Sequence, residues 1–347
     1  MQFAYSAAQT ALATDLAAVF GRHPAPRRLR ACADAGAVAF DDGLWQALAA
    51  GHWLGLALPA AVGGRGLGGE ELTLAAYEAG RALAPVPLVA TLLAGEALKI
   101  AAEPLLRQAL AAGALRVALC LPAPDGTAPT VSITAGRARG ALAPVPDGLI
   151  ADAVLCADAQ GDAWLVDLRV AVDRRALATL DLAHTAAELV FDDAPAIALG
   201  PVDGWRDRAA ILYAFEQLGG AQRCLDLAVA YAKERYAFGQ PIGAFQAVKH
   251  TLAALHVEIE LARANAYFGA YALTQNTPAL LAEAAALARA SATETYLLAA
   301  QESLHVHGGV GFTWACEAHL HLRRARALEA TLGSAAPWRA RLIDSAA

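Results

Sequence analysis

The chain has a single methionine, and only 17% of its 347 residues are charged. Neither sign dominates. Its 27 Lys and Arg against 33 Asp and Glu leave a formal charge of −6, so no global basic field exists to hold nucleic acid. Five cysteines (Cys32, Cys120, Cys156, Cys224, Cys316) make no C-x-x-C pair. An odd, scattered set reads as small buried hydrophobes rather than as disulfides or a zinc site. No apolar run reaches the roughly 20 residues a membrane span needs. Residues 82–98 and 209–232 come nearest, and charge, proline or polar residues break both. Residues 1–20 carry Asp15 and lack a basic start leading into an apolar run, so the cytoplasm is the expected compartment.

What the chain does have is alanine, about a quarter of it, with 57% hydrophobic residues and a mean hydropathy of +0.39. Such a composition excludes a disordered chain, and the length allows two or three domains with a sizeable core. Three textures follow one another. Residues 1–113 are helical in pattern, with apolar spacing of i, i+3, i+4 over 8–20, 42–50, 70–83 and 88–97. Gly63, Gly64, Gly66, Pro85 and Pro87 punctuate them, and Asp41-Asp42 stands where a carboxylate can accept first-turn N–H groups. Residues 114–200 hold short Val-, Leu- and Thr-richer runs at 116–121, 131–134, 163–170 and 188–191. Pro-Asp-Gly clusters at 124–126 and 146–148 separate them, which predicts a small β domain. Residues 201–347 return to helix: 205–236, 245–274 and 278–305 are long enough to need partners along their whole length, with 323–332 and 336–343 closing the group. The predicted fold class is α+β, mainly α: an N-terminal helical domain, a small central β-barrel and a C-terminal four-helix bundle.

Two motifs carry chemistry. Residues 234–246 read E-R-Y-A-F-G-Q-P-I-G-A-F-Q, where Gly239 and Pro241 turn one long helix into the next. Arg235 and Gln246 flank that corner and can converge on an anion, since guanidinium geometry suits phosphate; a plain helix corner with a surface Arg fits the spacing about equally well. Residues 304–314 read L-H-V-H-G-G-V-G-F-T-W, and Gly308-Gly309 lets backbone N–H groups approach a phosphate closely. The His305/His307 and His319/His321 pairs stand at i, i+2, which does not share a helix face, so no metal is expected.

Together these motifs resemble the acyl-CoA dehydrogenase family. The N-terminal stretches L-W-Q (44–46), W-L-G-L-A-L-P (53–59), G-G-x-G-L-G (63–68) and G-R-A-L-A-P (80–85) agree with it. The resemblance covers nearly the whole chain. It implies dimers or tetramers with FAD between barrel and bundle, an acyl-CoA substrate and an electron-transfer flavoprotein as acceptor. Carried over by position, Arg235 and Gln246 would contact the pyrophosphate of a neighbouring subunit's FAD. Phe238 would lie at the adenine end, His305, Gly308 and Gly309 would approach the ADP part, and Gly333-Ser334 would match the Gly-Thr/Ser after the usual catalytic glutamate.

The family's reaction removes an α-proton by a carboxylate while the β-hydrogen leaves to the flavin as hydride. The base must therefore be a carboxylate in a dry pocket. Its usual position is here Leu332, which takes no proton. Counting back from Arg235 to the family's other base position reaches Ala209, followed by Ala210; a two-residue slip offers Asp207-Arg208 instead. The bland reading of Asp207 is a first-turn helix acid, and that of Glu329 a surface ion pair. The flavin-covering segment is also depleted: residues 120–127 read C-L-P-A-P-D-G-T, with Thr127 the nearby hydroxyl, and Trp164 reads as core. The sequence therefore resembles the shorter subunit type of heterotetrameric members, whose longer partner carries the base. The alternatives are a self-sufficient homotetramer using Asp207 and a non-enzymatic scaffold with a degenerate flavin site.

Overall fold

The structure, a computed structural model, describes residues 5–101, 103–126, 131–275 and 277–346. Six helices open the chain: α1 (Ala7–Gly21), α2 (Ala25–Ala35), α3 (Asp42–Ala50), α4 (Gly69–Ala82), α5 (Leu88–Ile100) and α6 (Pro104–Ala111). Local chemistry starts them. Ser6 and Gln9 form a reciprocal capping box on α1, and the Asp41 carboxylate accepts the Leu44 N–H at 2.9 Å on α3. α2 lies outside the helices expected from the sequence. Its arginines mask a narrow apolar stripe, Ala25, Leu29 and Cys32, that proline at the first turn and Gly36 in the left-handed region delimit.

The middle of the chain forms one seven-stranded sheet from β1 (Val117–Cys120), β2 (Ser132–Thr134), β3 (Arg137–Pro146), β4 (Ala153–Ala157), β5 (Asp162–Asp167), β6 (Val172–Leu177) and β7 (Ala186–Pro201). Its order is β1-β4-β5-β7-β3-β2, with β6 on β7. β7 serves both sides: its first half lies between β3 and β6, and its second half pairs with β5. Side chains from β1, β3, β4, β5 and β7 enclose one core around Leu142, Val154, Val166 and Leu189, so the sheet is bent round it as the expected barrel requires. β1 and β4 are buried on both faces. Ala118, Cys120, Val154 and Cys156 point into that core, whereas Val117, Leu119, Ala153 and Leu155 point into the helical one. Cys120 and Cys156, far apart in sequence, are register partners across the parallel β1–β4 pair, and both are free thiols.

β7 runs straight into α7 (Val202–Glu234). A two-stranded corner, β8 (Tyr236–Ala237) and β9 (Gln240–Pro241), leads to α8 (Gln246–Thr274). α9 (Pro278–His307), α10 (Ala318–Ala330) and α11 (Ala335–Ala346) follow. α7 is the hub, packed on α4, α8, α9 and α10. Among the described residues no helix is long and apolar enough to cross a membrane.

α4 and α7 touch backbone to backbone. A Cβ on Gly80 would stand 1.9 Å from the Glu216 carbonyl oxygen, and one on Gly219 would stand 1.9 Å from that of Tyr77. No side-chain movement relieves either clash. Gly219→Ala is therefore expected to cost about 2–3 kcal/mol in urea unfolding, whereas alanine at the open helical Gly204 should be neutral or stabilise by up to about 1 kcal/mol.

Candidate active site and cofactor edge

α4, α5, β1, α7 and α10 converge on a cavity of only about 20 Å³, room for roughly one water molecule. Its polar wall is charged. Arg324 on α10 donates from Nη1 to Asp181 at 2.8 Å and from Nε to Glu216 at 3.0 Å, with Nη2 also on Glu216. His184 Nδ1 stands 2.7 Å from the Asp147 carboxylate. All five side chains are buried. Burial alone would lower the Arg324 pKa, but Glu216 and Asp181 outweigh it and raise it. Burial and Arg324 likewise oppose the His184 proton, yet Asp147 and Asp181 carry the balance upward. Beneath them Arg289, fully buried on α9, donates to Gln217 at 2.7 Å and to the Leu328 and Thr331 carbonyls. Those carbonyls belong to the unsatisfied last turn of α10. Burial lowers the Arg289 pKa to about 10, so it stays cationic at neutral pH.

Leu332 follows directly. It is 5% exposed, at φ 59°, and its carbonyl accepts the Trp338 indole N–H at 2.9 Å. A Cβ on Gly333 would stand 2.7 Å from the Cβ of Ala123, which brings the base-position turn against the segment where the flavin cover is expected. Thr127 lies outside the described residues. Ser334 is exposed.

Asp207 is buried near the start of α7 and pairs with Arg341 of α11, one bond measuring 2.9 Å. Ala209 stands on the same helical face as the lining residues Tyr213 and Glu216, at i, i+4 and i+7, and neither Ala209 nor Asp207 lines the cavity itself. Glu329 pairs with Arg326 at 2.9 Å, one helical turn apart. Sequence reasoning missed Glu216, Arg324, Asp181 and His184. Each looks like an ordinary surface charge until the fold brings four elements together.

The two glycine-bearing motifs meet at one end of the bundle, where the Tyr231 ring of α7 stacks on His307 of α9 at 4.5 Å. Arg235 caps α7 with an exposed side chain that has no ion-pair partner among the described residues. Gln246 is exposed at the first turn of α8, and Phe238 is 95% exposed, edge-on to Phe245 at 6.2 Å. Gly308 holds φ 60°, ψ −142°, a conformation suited to glycine, and nothing lies within 4 Å of a Cβ built on it or on Gly309. His305 is exposed, 3.7 Å from Glu302. The four histidines of the two pairs face separate surroundings, and no group of three metal-ligating side chains assembles among the described residues. A guanidinium, an amide and open backbone on one exposed edge suit the phosphates of a dinucleotide. The cavity beside Leu332, filled and charged, does not suit a flavin ring.

One further pair lies under that edge. Cys316 accepts the Ala318 N–H at 3.5 Å and is hydrogen-bonded to His307, whose Nδ1 donates to the Ser303 carbonyl at 2.7 Å. Burial opposes the Cys316 thiolate, but His307 and the Ala318 N–H lower its pKa overall; burial pushes the Cys120 thiol up to about 12.

The bent sheet set between two helical groups, with these motifs at one end, places the chain in a known class: it belongs to the acyl-CoA dehydrogenase family. Residues 6–114 match the model of the family's N-terminal domain and residues 207–344 that of its C-terminal domain. The acyl-CoA dehydrogenase IpdE2 of Mycobacterium tuberculosis is 36% identical over 318 residues, 89% of this chain and 88% of that protein. A variant of the Tcur3481-Tcur3483 steroid ACAD superposes with a TM-score of 0.87 at 33% identity, covering 97% of both chains. The ChsE4-ChsE5 complex of Mycobacterium tuberculosis gives a TM-score of 0.88 at 26% identity, covering 100% of this chain and 99% of that one.

The buried histidines also fix a pH response. His321 donates to or accepts from the Tyr296 hydroxyl at 2.9 Å, and burial holds its pKa at about 3. The folded state keeps this imidazole neutral while the unfolded chain takes a proton below about pH 6.5. Stability is therefore lost as pH falls from about 6.5 towards 3, at up to about 1.4 kcal/mol per unit. His184, with its raised pKa, acts oppositely and adds stability below 6.5. Comparing urea midpoints at pH 7 and pH 5 isolates His321: His321→Gln should lose about 2 kcal/mol less than the parent on acidification.

Proposed function

We propose that this chain is the non-catalytic member of a heteromeric FAD-linked acyl-CoA dehydrogenase, working in the cytoplasm beside a longer subunit that supplies the base. The observation that carries this is Leu332: an apolar side chain, sealed in the core, where the family's reaction needs a carboxylate. Asp207 is no substitute, because its carboxylate is committed to Arg341 away from the cavity. The ChsE4-ChsE5 neighbour is a complex, which supports a two-subunit arrangement, and the Tcur3481-Tcur3483 neighbour is a steroid ACAD, which supports steroid thioesters as the substrate class.

In this reading the chain's work is done at its exposed edge. Arg235 and Gln246 hold a pyrophosphate across the subunit boundary, Gly308-Gly309 and His305 lie against the ADP portion, Phe238 offers its open face to the adenine, and exposed Ser334 lies beside the cavity. FAD held there would supply the hydride-accepting chemistry of the pair, with an electron-transfer flavoprotein as its electron acceptor. This chain contributes neither the proton-accepting group nor the ring pocket; it fixes the cofactor's charged end and closes the neighbour's site to water.

Purified alone, the chain should carry well under one flavin per chain and show no acyl-CoA-dependent bleaching. Stoichiometric FAD that bleaches would sink the reading. In the complex, Arg235→Ala should weaken FAD binding by about 10- to 100-fold, the range for one charge-assisted phosphate contact. Asp207→Asn should leave kcat within about twofold while costing roughly 1–3 kcal/mol of stability, because its partner Arg341 remains partly solvated.

A further inference from the structure

The cavity beside Leu332 is too small for any acyl group, and the β6–β7 connection supplies part of its wall through His184. Between β6 and β7, residues 178–180 cross the surface, Leu180 being 53% exposed, and residues 181–184 then turn inward. Leu182 and Ala183 pack with Leu29 and Cys32 of α2 and Leu320 of α10, an apolar seat on the helical groups. On one side of that seat Asp181 takes the Arg324 guanidinium at 2.8 Å, and Arg324 is held in turn by Glu216 of α7. On the other side His184 meets Asp147 at 2.7 Å. The Asp181 carboxylate also accepts the Ala183 N–H at 2.8 Å, which fixes the turn itself.

We propose that residues 181–184, the buried part of the 178–185 connection, are a built-in occupant of this chain's own acyl-thioester site, latched by Arg324 between Asp181 and Glu216. The inference rests on the reading of the chain as the non-catalytic subunit and deepens it. Losing a base would leave a pocket that still binds substrate unproductively. Filling it leaves one acyl-CoA site per pair of chains, on the partner. The physical argument is the match of charge to space. Most of the lining is apolar, with Val86, Leu88, Leu119 and Leu328 among it, but a volume of about 20 Å³ has no room for a hydrocarbon, and Arg324 held between Asp181 and Glu216 keeps the walls together. A loose loop would not acquire three buried charges in mutual contact. Leu328 and Thr331, whose carbonyls Arg289 holds, supply the floor.

The test needs neither flavin nor turnover, so its failure is distinct from failure of the subunit assignment. Amide hydrogen exchange of the full chain is followed at residues 178–185 and 213–217, with and without octanoyl-CoA at millimolar concentration. The comparison protein is the triple variant Asp181→Asn/Glu216→Gln/Arg324→Met, which removes the charges together and leaves none unpaired. In the parent chain 178–185 should be protected, and octanoyl-CoA should change nothing at either segment. In the variant, exchange at 178–185 should rise by about tenfold or more, and the thioester should then protect 213–217. Thioester-induced protection at 213–217 in the parent overturns the proposal, and so does its absence from both proteins. Asp181→Asn alone, which keeps the Arg324–Glu216 pair, provides the same readout should the triple variant not fold; unchanged exchange at 178–185 in that variant removes Arg324 as the latch.

Discussion

Arg324, only 8% exposed, is held by counter-charge from two other elements, the β6–β7 connection and α7. Taking such a group out of water costs several kcal/mol, which opposite charges at hydrogen-bond distance offset only if every donor is used. The arrangement therefore fixes more than its own atoms. It sets α10 against α7, draws the β unit down onto the helices, and determines how much space is left where those elements meet. The glycine contact between α4 and α7 is part of the same constraint. Gly80 lies on the Glu216 carbonyl, so the residue that holds Arg324 is itself pinned by a backbone contact.

Local stacking and capping follow the same logic at the other end of the bundle, with the opposite result. Tyr231 on His307 ties α7 to α9, and the chain then emerges as exposed Tyr236 and Phe238 on one side and Phe312 and Trp314 on the other. These large apolar side chains, left in water beside Arg235 and the open Gly308-Gly309 backbone, are the reverse of the sealed cavity. A family member that did everything alone would need an open pocket at one end and a cofactor edge at the other. Here only the edge is open.

Much of this was legible in the sequence, and what was not has physical causes. The three long helices were placed nearly to the residue, because long alanine-rich stretches bounded by Pro201, Pro241, Pro278 and Gly308 leave little choice. The edge motifs could be read because Gly and Pro act through the backbone of their own neighbourhood. β3 could not: Gly140, Pro144 and Pro146 argue against a strand, and the pairing survives only through two irregularities in its register with β7. α2 was hidden by three arginines on a helix of eleven residues. The charged cavity was the least legible part. Glu216 and Arg324 are 108 positions apart, and no local pattern distinguishes them from Asp207 or Glu329.

That difference explains why a base could be sought in the wrong place. Asp207 beside Arg208 has the residue types the chemistry asks for, but helical phase decides which side chains share a cavity. From Tyr213 and Glu216 the phase leads back to Ala209 and leaves Asp207 to Arg341. Where the fold puts a carboxylate in the cavity, at Glu216, it also puts a guanidinium on it. A carboxylate so held has its oxygen engaged by the Arg324 guanidinium, so it is not presented free to a substrate carbon. On the proposed reading, the apolar Leu332 and the paired Glu216 would be two expressions of one outcome: a site whose interior serves packing, on a chain whose recognition chemistry lies on the outside.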